Sequence, residues 1–356
     1  LHFTEQNMKK KFFALILLAV ALLFTFSGCS CEGAAILSFS NAFNDKTAPL
    51  ASYYEKCEYD VTYEEKNEFY EKASSLNNKN LKFSYDVGKY VTEFKVEAGL
   101  PQISSSGKPI TSDIRDLLEG KTVYHYKTSF SINIKYSING GEEKTHTDTI
   151  NTEVYFGNAD LSFAPIFSDT QFETSLLLFS APDVQTFKSD YQTVYNQNFY
   201  TLSGSSTLSD SKQNDVTEHN RTENYTFRSL IDNAQFMFAI RNLTIETGKS
   251  GYFLATTLSY NQPKSIAVSN ATTYDAEVDF TYNGTSINSI TTTSYNYALS
   301  ESKSSGIPQY FFLQAKSTES LPNKSLLVKY IEPVIEYSSL NCAGSLNYKL
   351  KTVTIS

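Results

Sequence analysis

The sequence predicts a mainly β protein with large antiparallel sheets, sandwich-like or half-barrel-like, and with one or two packed helices. Every even position from Tyr124 to Ile138 is apolar or threonine, which is the period of a strand with one buried face. Asn-Gly pairs at 139–140 and 283–284 separate alternating stretches, as hairpin turns do. The chain also has 25 Tyr and 25 Phe, and aromatic residues favour strands.

The two turns predict two long hairpins. After the strand that ends at Ile138, Asn139-Gly140-Gly141 supplies residues that tolerate positive φ, and alternation resumes from Ile150 to Phe156. The second hairpin joins Tyr274–Tyr282 to a return strand that includes Tyr295–Leu299.

Other stretches also show strand alternation. Cys57, Tyr59, Val61 and Tyr63 lie on one parity. The apolar residues of Leu81–Val87 and Thr92–Val96 differ in parity, so we expect a bulge or bend near Gly88. Further strands are expected in Tyr252–Tyr260, Tyr310–Ala315, Leu326–Tyr337 and Leu346–Ile355.

Helical and irregular segments are few. Apolar residues recur at helical spacing from Phe227 to Arg241, which predicts the main helix, packed on the sheet. Within the loop Gly99–Thr122, Ser112 is expected to cap a short helix that Gly120 ends. Thr201–Asn224 is polar and predicts a mobile loop or a domain linker, hence a possible subdivision near 201–224.

The N-terminal part carries an export pattern. Lys9, Lys10 and Lys11 precede an uncharged apolar run, Phe12–Phe26, as in the n-region and h-region of a secretory signal. A membrane-spanning helix needs about 20 apolar residues, so this run is too short for a permanent anchor. We therefore expect a signal peptide over residues 8–28.

Phe26-Ser27-Gly28-Cys29 follows this run and resembles the lipobox of bacterial lipoproteins. The family prefers Leu where this chain has Phe26. The resemblance implies cleavage before Cys29 and attachment of diacylglycerol to its sulfur, with the membrane as a partner through the lipid anchor. Two or three acyl chains hold a protein firmly at a membrane, whereas one chain holds it only marginally. The alternative is an ordinary signal peptide, in which Cys29 is an unmodified thiol.

These segments suggest a domain plan. Residues 1–7 precede Met8 and fit no signal pattern, so we expect an over-extended start. Residues 29–50 are expected to be a tether and residues 51–356 a β-rich extracytoplasmic domain. The predicted location is the cell membrane, lipid-anchored and facing the extracytoplasmic side.

Charge argues against nucleic acid as a partner. The chain has 30 Lys and Arg against 38 Asp and Glu, a formal net charge of −8. Removal of residues 1–28 makes the remainder more acidic, because that segment holds three Lys and one Glu. Binding to nucleic acid relies on clustered basic residues.

Cysteine usage allows one disulfide in an oxidising compartment. Cys57 and Cys342 are the hypothesised pair, which would join the first strand region to the last. The alternative is that Cys57 is a buried small residue and Cys342 a thiol. No Cys/His spacing is typical of a zinc site, and no nucleotide or dinucleotide motif is present, so we predict no metal and no cofactor.

Catalytic patterns are weak. His125 and His146 are expected to face each other across the first hairpin as surface residues. The S-x-x-K spacing of serine–lysine enzymes occurs at 105–108, 209–212 and 300–303, each time in a Ser-rich loop without an accompanying K-T-G, and we interpret it as chance.

Three functional classes remain open. The first is a non-catalytic lipoprotein that binds an unidentified ligand in the envelope or at the cell surface. The second is a half-barrel carrier of lipid or another hydrophobic ligand, which is an analogy at the level of the fold. The third is an envelope hydrolase with an unfamiliar site. The sequence favours the first class.

Overall fold

The fold was described from a computed structural model. It describes residues 35–36, 53–65, 81–157, 164–175, 185–196, 199–209, 213–224, 230–239, 250–256, 263–301, 309–315, 334–339 and 344–356. By contacts the chain divides into two compact units, residues 1–35 and 36–356. Cys29 and most of the predicted tether lie outside the described residues.

Strands dominate the described chain, which confirms the predicted fold class. The strands of the first half are β1 Ala35–Ile36, β2 Tyr54–Glu65, β3 Leu81–Tyr85, β4 Gly88–Ala98, β5 Thr122–Ile138, β6 Lys144–Phe156, β7 Pro165–Thr174 and β8 Thr186–Tyr195. The strands of the second half are β9 Phe199–Ser209, β10 Asn214–Asn224, β11 Leu230–Ile231, β12 Ser250–Thr256, β13 Pro263–Tyr282, β14 Thr285–Glu301, β15 Gln309–Ala315, β16 Val334–Ser339 and β17 Gly344–Ile355.

Strands β2–β17 belong to one sheet. Antiparallel neighbours follow one another in the order β10, β9, β8, β7, β6, β5, β4, β2, β17, β16, β15, β14, β13, β12. The strand β3 pairs with the end of β5. Two short parallel pairings join β11 to β12 and β13 to β17. The first and last strand regions are therefore adjacent, through β2 and β17.

Both predicted hairpins are confirmed. β5 and β6 pair from Tyr124↔Phe156 to Tyr136↔Lys144, and the turn residues Asn139 and Gly140 have φ of 54° and 70°. β13 and β14 meet at Asn283 and Gly284, with φ of 45° and 79°. Positive φ at both central residues matches the right-handed twist of the flanking strands, which explains the Asn-Gly sequence.

The predicted irregularity near Gly88 is a break between β3 and β4. Both strands pair with β5, β3 with residues 134–138 and β4 with residues 122–131. A Cβ atom on Gly88 would lie 2.8 Å from the carbonyl oxygen of Ser131, which is closer than carbon and oxygen approach without movement. Glycine therefore allows β4 to start close against β5.

Alternation gives the sheet an inner face and an outer face around β4–β8. The inner face is the one that contains Phe94, Tyr126 and Val154, and the outer face contains His125 and Glu153. The fully buried side chains of the inner-face core, with exposed fractions below 2 %, include Cys57, Tyr59, Val61, Phe94, Tyr126, Val154, Phe156, Phe238 and Phe253. The alternation predicted for Cys57–Tyr63 is confirmed by the burial pattern of β2.

The long helix predicted from Phe227 to Arg241 is wrong. Leu230–Ile231 is a strand, Asn233–Gln235 a 3-10 turn, and Phe236–Ala239 a helix of one turn, which is α2 in chain order. Helical structure begins only at Asn233 because Asp232 caps it. The Asp232 carboxylate accepts a hydrogen bond from the Ala234 amide at 2.7 Å, and Gln235 Oε1 accepts one from the Asp232 amide at 3.3 Å.

The Asp232 side chain also fixes this turn to the inner face. It accepts hydrogen bonds from Ser168 Oγ at 2.6 Å and from the Tyr195 hydroxyl. Burial raises the pKa of the carboxyl, against the lowering effect of these hydrogen bonds. Phe238 then stacks on Phe94 with ring centroids 4.4 Å apart. This part of the inner face is therefore filled by side chains.

The stretch 201–224 is not the loop or linker that its polarity suggested. Residues 199–209 and 214–224 are the paired strands β9 and β10, in register from Phe199↔Asn224 to Ser209↔Asn214. Most of β10 is exposed on both faces, so its side chains carry no apolar alternation. Backbone pairing with β9 supplies the order that the side-chain pattern does not reveal.

The short helix in the loop after β4 is confirmed as α1, Ser112–Leu117. Thr111 rather than Ser112 is its N-cap, and its side chain makes no capping hydrogen bond. Gly120 has a φ of 70° just beyond the helix. Among the described residues, no helix is both long enough and apolar enough to cross a membrane.

Candidate functional site

A row of acidic side chains crosses the outer face. Glu153 on β6 lies directly opposite Asp169 on β7, and Asp190 on β8 lies opposite Gln171, two residues further along β7. Glu153 and Asp169 are 2 % and 3 % exposed, whereas Asp190 is about half-exposed. We call these three residues the carboxylate row.

The segment between β4 and β5 covers this row. Ile110 and Leu118 of the segment pack against Tyr155 and Phe167, which project from β6 and β7 on the same face. The bridge between Ile103 and Pro109 closes a tight turn at residues 104–108. We call Ser104–Lys108 the strap.

The strap donates hydrogen bonds to each residue of the carboxylate row. The Ser105 amide and hydroxyl donate to the two oxygens of Glu153, at 2.6 and 2.5 Å. Ser106 Oγ donates to Asp169 Oδ2 at 2.6 Å, and Lys108 Nζ donates to Asp190. Three consecutive strands are thus tied to one five-residue turn.

His125 extends this network beneath the strap. Its Nε2 lies 3.1 Å from Glu153 Oε2, and its Nδ1 lies 3.2 Å from Glu97 Oε2 on β4. The imidazole is 2 % exposed and stacks on the Tyr155 ring, with centroids 4.0 Å apart. Lys127 Nζ lies 3.9 Å from Glu153 Oε2. The imidazole therefore bridges two carboxylates on strands that flank β5.

The carboxylates of this network are stabilised in their charged form. Burial raises the pKa of Glu97, but the adjacent side chains of His125 and Lys95 outweigh this effect and lower the pKa to about 2. Burial likewise raises the pKa of Glu153, and hydrogen bonds from His125 and Ser105 outweigh it, so the pKa lies below its usual value. A carboxylate with a lowered pKa is a weak base.

This geometry favours a structural clamp over nucleophilic catalysis. An activated serine needs a base within hydrogen-bond reach, and that base is usually a histidine held by a third group. Ser105 Oγ instead donates to Glu153, and His125 Nε2 is directed to the same carboxylate. Ser105 and Lys108 of the S-x-x-K spacing bind different carboxylates, on β6 and β8. The other two S-x-x-K spacings extend outside the described residues.

Two expectations about histidine are wrong. His125 is buried and not a surface residue, and it lies opposite Tyr155, whereas His146 lies opposite Ile134. The histidines do not face each other because the register of β5 and β6 separates them by nine residues along β5. The missed signal was the set of acidic residues on odd positions of β4 and β6, which share a face with His125.

The predicted cysteine roles remain predictions. Cys57 is fully buried on β2, and its Sγ donates to Glu55 Oε1 at 3.5 Å. Cys342 and Cys29 lie outside the described residues, so neither the disulfide nor the lipid attachment is tested. Among the described residues, no group of three or more His, Cys, Asp or Glu side chains is placed to hold a metal ion.

Comparison with known proteins identifies no family. No family model matches the chain, and no curated protein matches it. A solved structure that is similar to this chain is the crystal structure of a β-barrel-like protein of a domain of unknown function, DUF1849, from Brucella abortus. It is 10% identical, with a TM-score of 0.45, and the match covers 86% of this chain and 98% of that one.

Proposed function

We propose that this protein is a bacterial lipoprotein whose β-sheet domain binds a ligand or partner in the envelope without catalysis. The anchor rests on one observation, the order of Lys9–Lys11, the apolar run Phe12–Phe26 and the lipobox-like residues up to Cys29. The binding role is what remains for the sheet once catalysis is set aside, because the carboxylates of its outer face are engaged in internal hydrogen bonds.

The outer-face network supports a role without catalysis. Both Glu153 oxygens accept hydrogen bonds from the strap, and Asp169 accepts from Ser106 and from Gln192. A buried carboxylate pair would suit a hydrolase only if one member were available as acid or base to a substrate. These donors engage both oxygens of Glu153 and Oδ2 of Asp169, which makes Glu153 a poor candidate for the acid or base of a hydrolase.

The inner face gives the carrier alternative no specific support at its centre. Phe238, Phe94 and Phe156 are fully buried there, with ring centroids 4.4–6.5 Å apart. A carrier needs an apolar cavity that its own side chains leave open. Binding without catalysis is therefore the function that we retain.

Mass spectrometry of the protein from a membrane fraction tests the anchor. We expect a mature chain that begins at Cys29 and carries a diacylglycerol mass on it, and the protein should partition into the detergent phase. Cys29→Ser should lack the lipid mass, whereas the matched control Cys31→Ser should resemble the wild type. An unmodified Cys29 in a soluble product would show that the proposed anchor is wrong.

A further inference from the structure

The polar strand β10 lies at one edge of the sheet. It pairs with β9 along all 11 of its residues, Asn214–Asn224, without a register shift. Among the described strands, β9 is the only one that pairs with β10. This edge is about twice as long as an average strand. An edge strand presents backbone N–H and C=O groups to which the strand of another molecule can add.

The hairpin between β8 and β9 shows which backbone groups of β10 are available. The Asn196 amide donates to the Phe199 carbonyl at 2.7 Å, so these two residues form a hydrogen-bonded pair. Such pairs alternate along an antiparallel ladder, so the even-numbered residues of β9 direct their backbone towards β10, where they meet odd-numbered residues. The backbone groups of the even-numbered residues of β10 therefore point away from the sheet, and all of these residues are exposed, namely Asn214, Val216, Glu218, Asn220, Thr222 and Asn224.

Charge is the feature of β10 that restricts strand addition. Natural edge strands are often interrupted by proline or a bulge, and β10 has neither. It does carry the charged residues Asp215, Glu218, Arg221 and Glu223. Charges oppose the pairing of strands where like charges lie directly opposite each other. The charges of β10 therefore decide which strand can pair with it and in which register.

A second copy of β10 is a strand that these charges allow. Two copies related by a two-fold axis perpendicular to the sheet pair antiparallel, and the residue at the axis lies opposite itself. An axis at Glu218 would oppose two carboxylates. An axis at His219 would place Asp215 opposite Glu223 twice. An axis at Asn220 brings no like charges opposite each other when histidine is neutral. These three axes give the longest overlaps, so charge selects the register centred on Asn220.

We propose that the protein forms a symmetric dimer in which β10 pairs antiparallel with β10 of a second copy, about a two-fold axis at Asn220. Glu218 then lies opposite Thr222 of the second copy, so the threonine hydroxyl donates to the carboxylate. Thr217 lies opposite Glu223 in the same way. The two Asn220 side chains, each both donor and acceptor, meet at the axis. About ten backbone hydrogen bonds join the copies, as many direct hydrogen bonds as a typical protein interface has.

Sedimentation equilibrium of the full chain in a neutrally buoyant detergent measures the dimer, at about pH 8, where histidine is mostly neutral. Asn220→Lys places two positive charges opposite each other at the axis and should raise the dissociation constant about tenfold. The matched control Asn214→Lys makes the same change on the same edge, outside the paired residues 216–224, and should leave it unchanged. Thr222→Lys places opposite charges across from Glu218 twice and should lower it about fivefold.

Asn220→Pro tests the backbone pairing without a change of charge. The Asn220 N–H points away from β9, so proline removes no hydrogen bond within the sheet but blocks the second strand. We expect a monomer whose circular dichroism matches that of the wild type, and if this variant does not fold, the two Asn→Lys variants decide. A wild type that stays monomeric up to about 0.3 mM, or equal dissociation constants for Asn220→Lys and Asn214→Lys, would overturn the inference. The lipid mass on Cys29 is a separate measurement, so failure of the dimer and failure of the anchor are distinguishable.

Discussion

Replacement of Glu153 by Gln should destabilise the protein more than any other single change of charge on the outer face. A glutamine side chain keeps only one acceptor oxygen. Its NH₂ group would therefore face either the Ser105 amide, which donates to Oε1 of Glu153, or the Ser105 hydroxyl and His125 Nε2, which bind Oε2. Removal of one partner from a buried charged pair costs about 3–5 kcal/mol. We therefore expect the free energy of unfolding to fall by about that amount.

Equilibrium unfolding in urea, followed by circular dichroism, measures the effect. Glu58→Gln is the matched control, because Glu58 on β2 forms an exposed ion pair with Lys56 at 2.6 Å. Exposed pairs contribute about 0–1 kcal/mol, so this variant should stay close to the wild type. If Glu153→Gln lost no more stability than Glu58→Gln, the strap and His125 would not engage Glu153 in solution.

Three further predictions concern acid, backbone and core. The pKa of Glu97 in the folded protein lies below its usual 4.5, so the ionised carboxylate stabilises the fold fully above about pH 4.5, and this stabilisation is lost as the pH falls towards about 2. The urea midpoint of the wild type should therefore fall over that range. The midpoint of Glu97→Gln should fall less steeply. Gly204→Ala should lower the melting temperature far more than Gly107→Ala. A Cβ atom at Gly204 would lie 2.2 Å from the Asp190 carbonyl oxygen, whereas a Cβ atom at Gly107 would have no heavy atom within 4 Å. Equal losses in the two variants would contradict this prediction. Phe238→Ala should lower the free energy of unfolding, measured in urea, by about 3–5 kcal/mol. A loss below about 1 kcal/mol would contradict the stacking of Phe238 on Phe94.

Local patterns predicted the long hairpins well. The apolar even positions from Tyr124 to Ile138 show the period of a strand. The two Asn-Gly pairs show where the backbone must adopt positive φ in a hairpin turn. Both signals lie within a few neighbouring residues of the sequence. The same logic located the break near Gly88, because a change of parity is visible wherever a strand keeps one buried face. The pairing of β9 with β10 was missed, because the side chains of these strands are mostly polar and the pairing uses the backbone.

The polar clusters were not predictable in the same way, because they depend on contacts distant in sequence. His125 meets Glu97 and Glu153 from two other strands, and Ser105 reaches Glu153 across 48 residues. A histidine on a threonine-rich strand is usually exposed, and only the register of β4, β5 and β6 shows that its neighbours are carboxylates. The apolar spacing from Phe227 similarly suggested a helix, whereas Asp232 confines helical structure to a short turn.

The carboxylate row explains why the strap has its sequence. Glu153 and Asp169 lie directly opposite each other on neighbouring strands, and like charges in that position destabilise a sheet. The strap offsets this cost with hydrogen bonds from Ser105 and Ser106, each worth about 1.5–3 kcal/mol to a charged acceptor.

Removal of both hydroxyls, in Ser105→Ala with Ser106→Ala, should therefore lower the free energy of unfolding by about 3–6 kcal/mol, the sum of two such hydrogen bonds. Addition of Asp169→Asn to this double variant should restore part of the loss, because it removes the repulsion between the two carboxylates. The same Asp169→Asn change in the wild type should destabilise, since there it weakens the bond from Ser106. Urea unfolding of the four proteins measures both effects, and an equal effect of Asp169→Asn in the two backgrounds would show that the strap does not offset the repulsion.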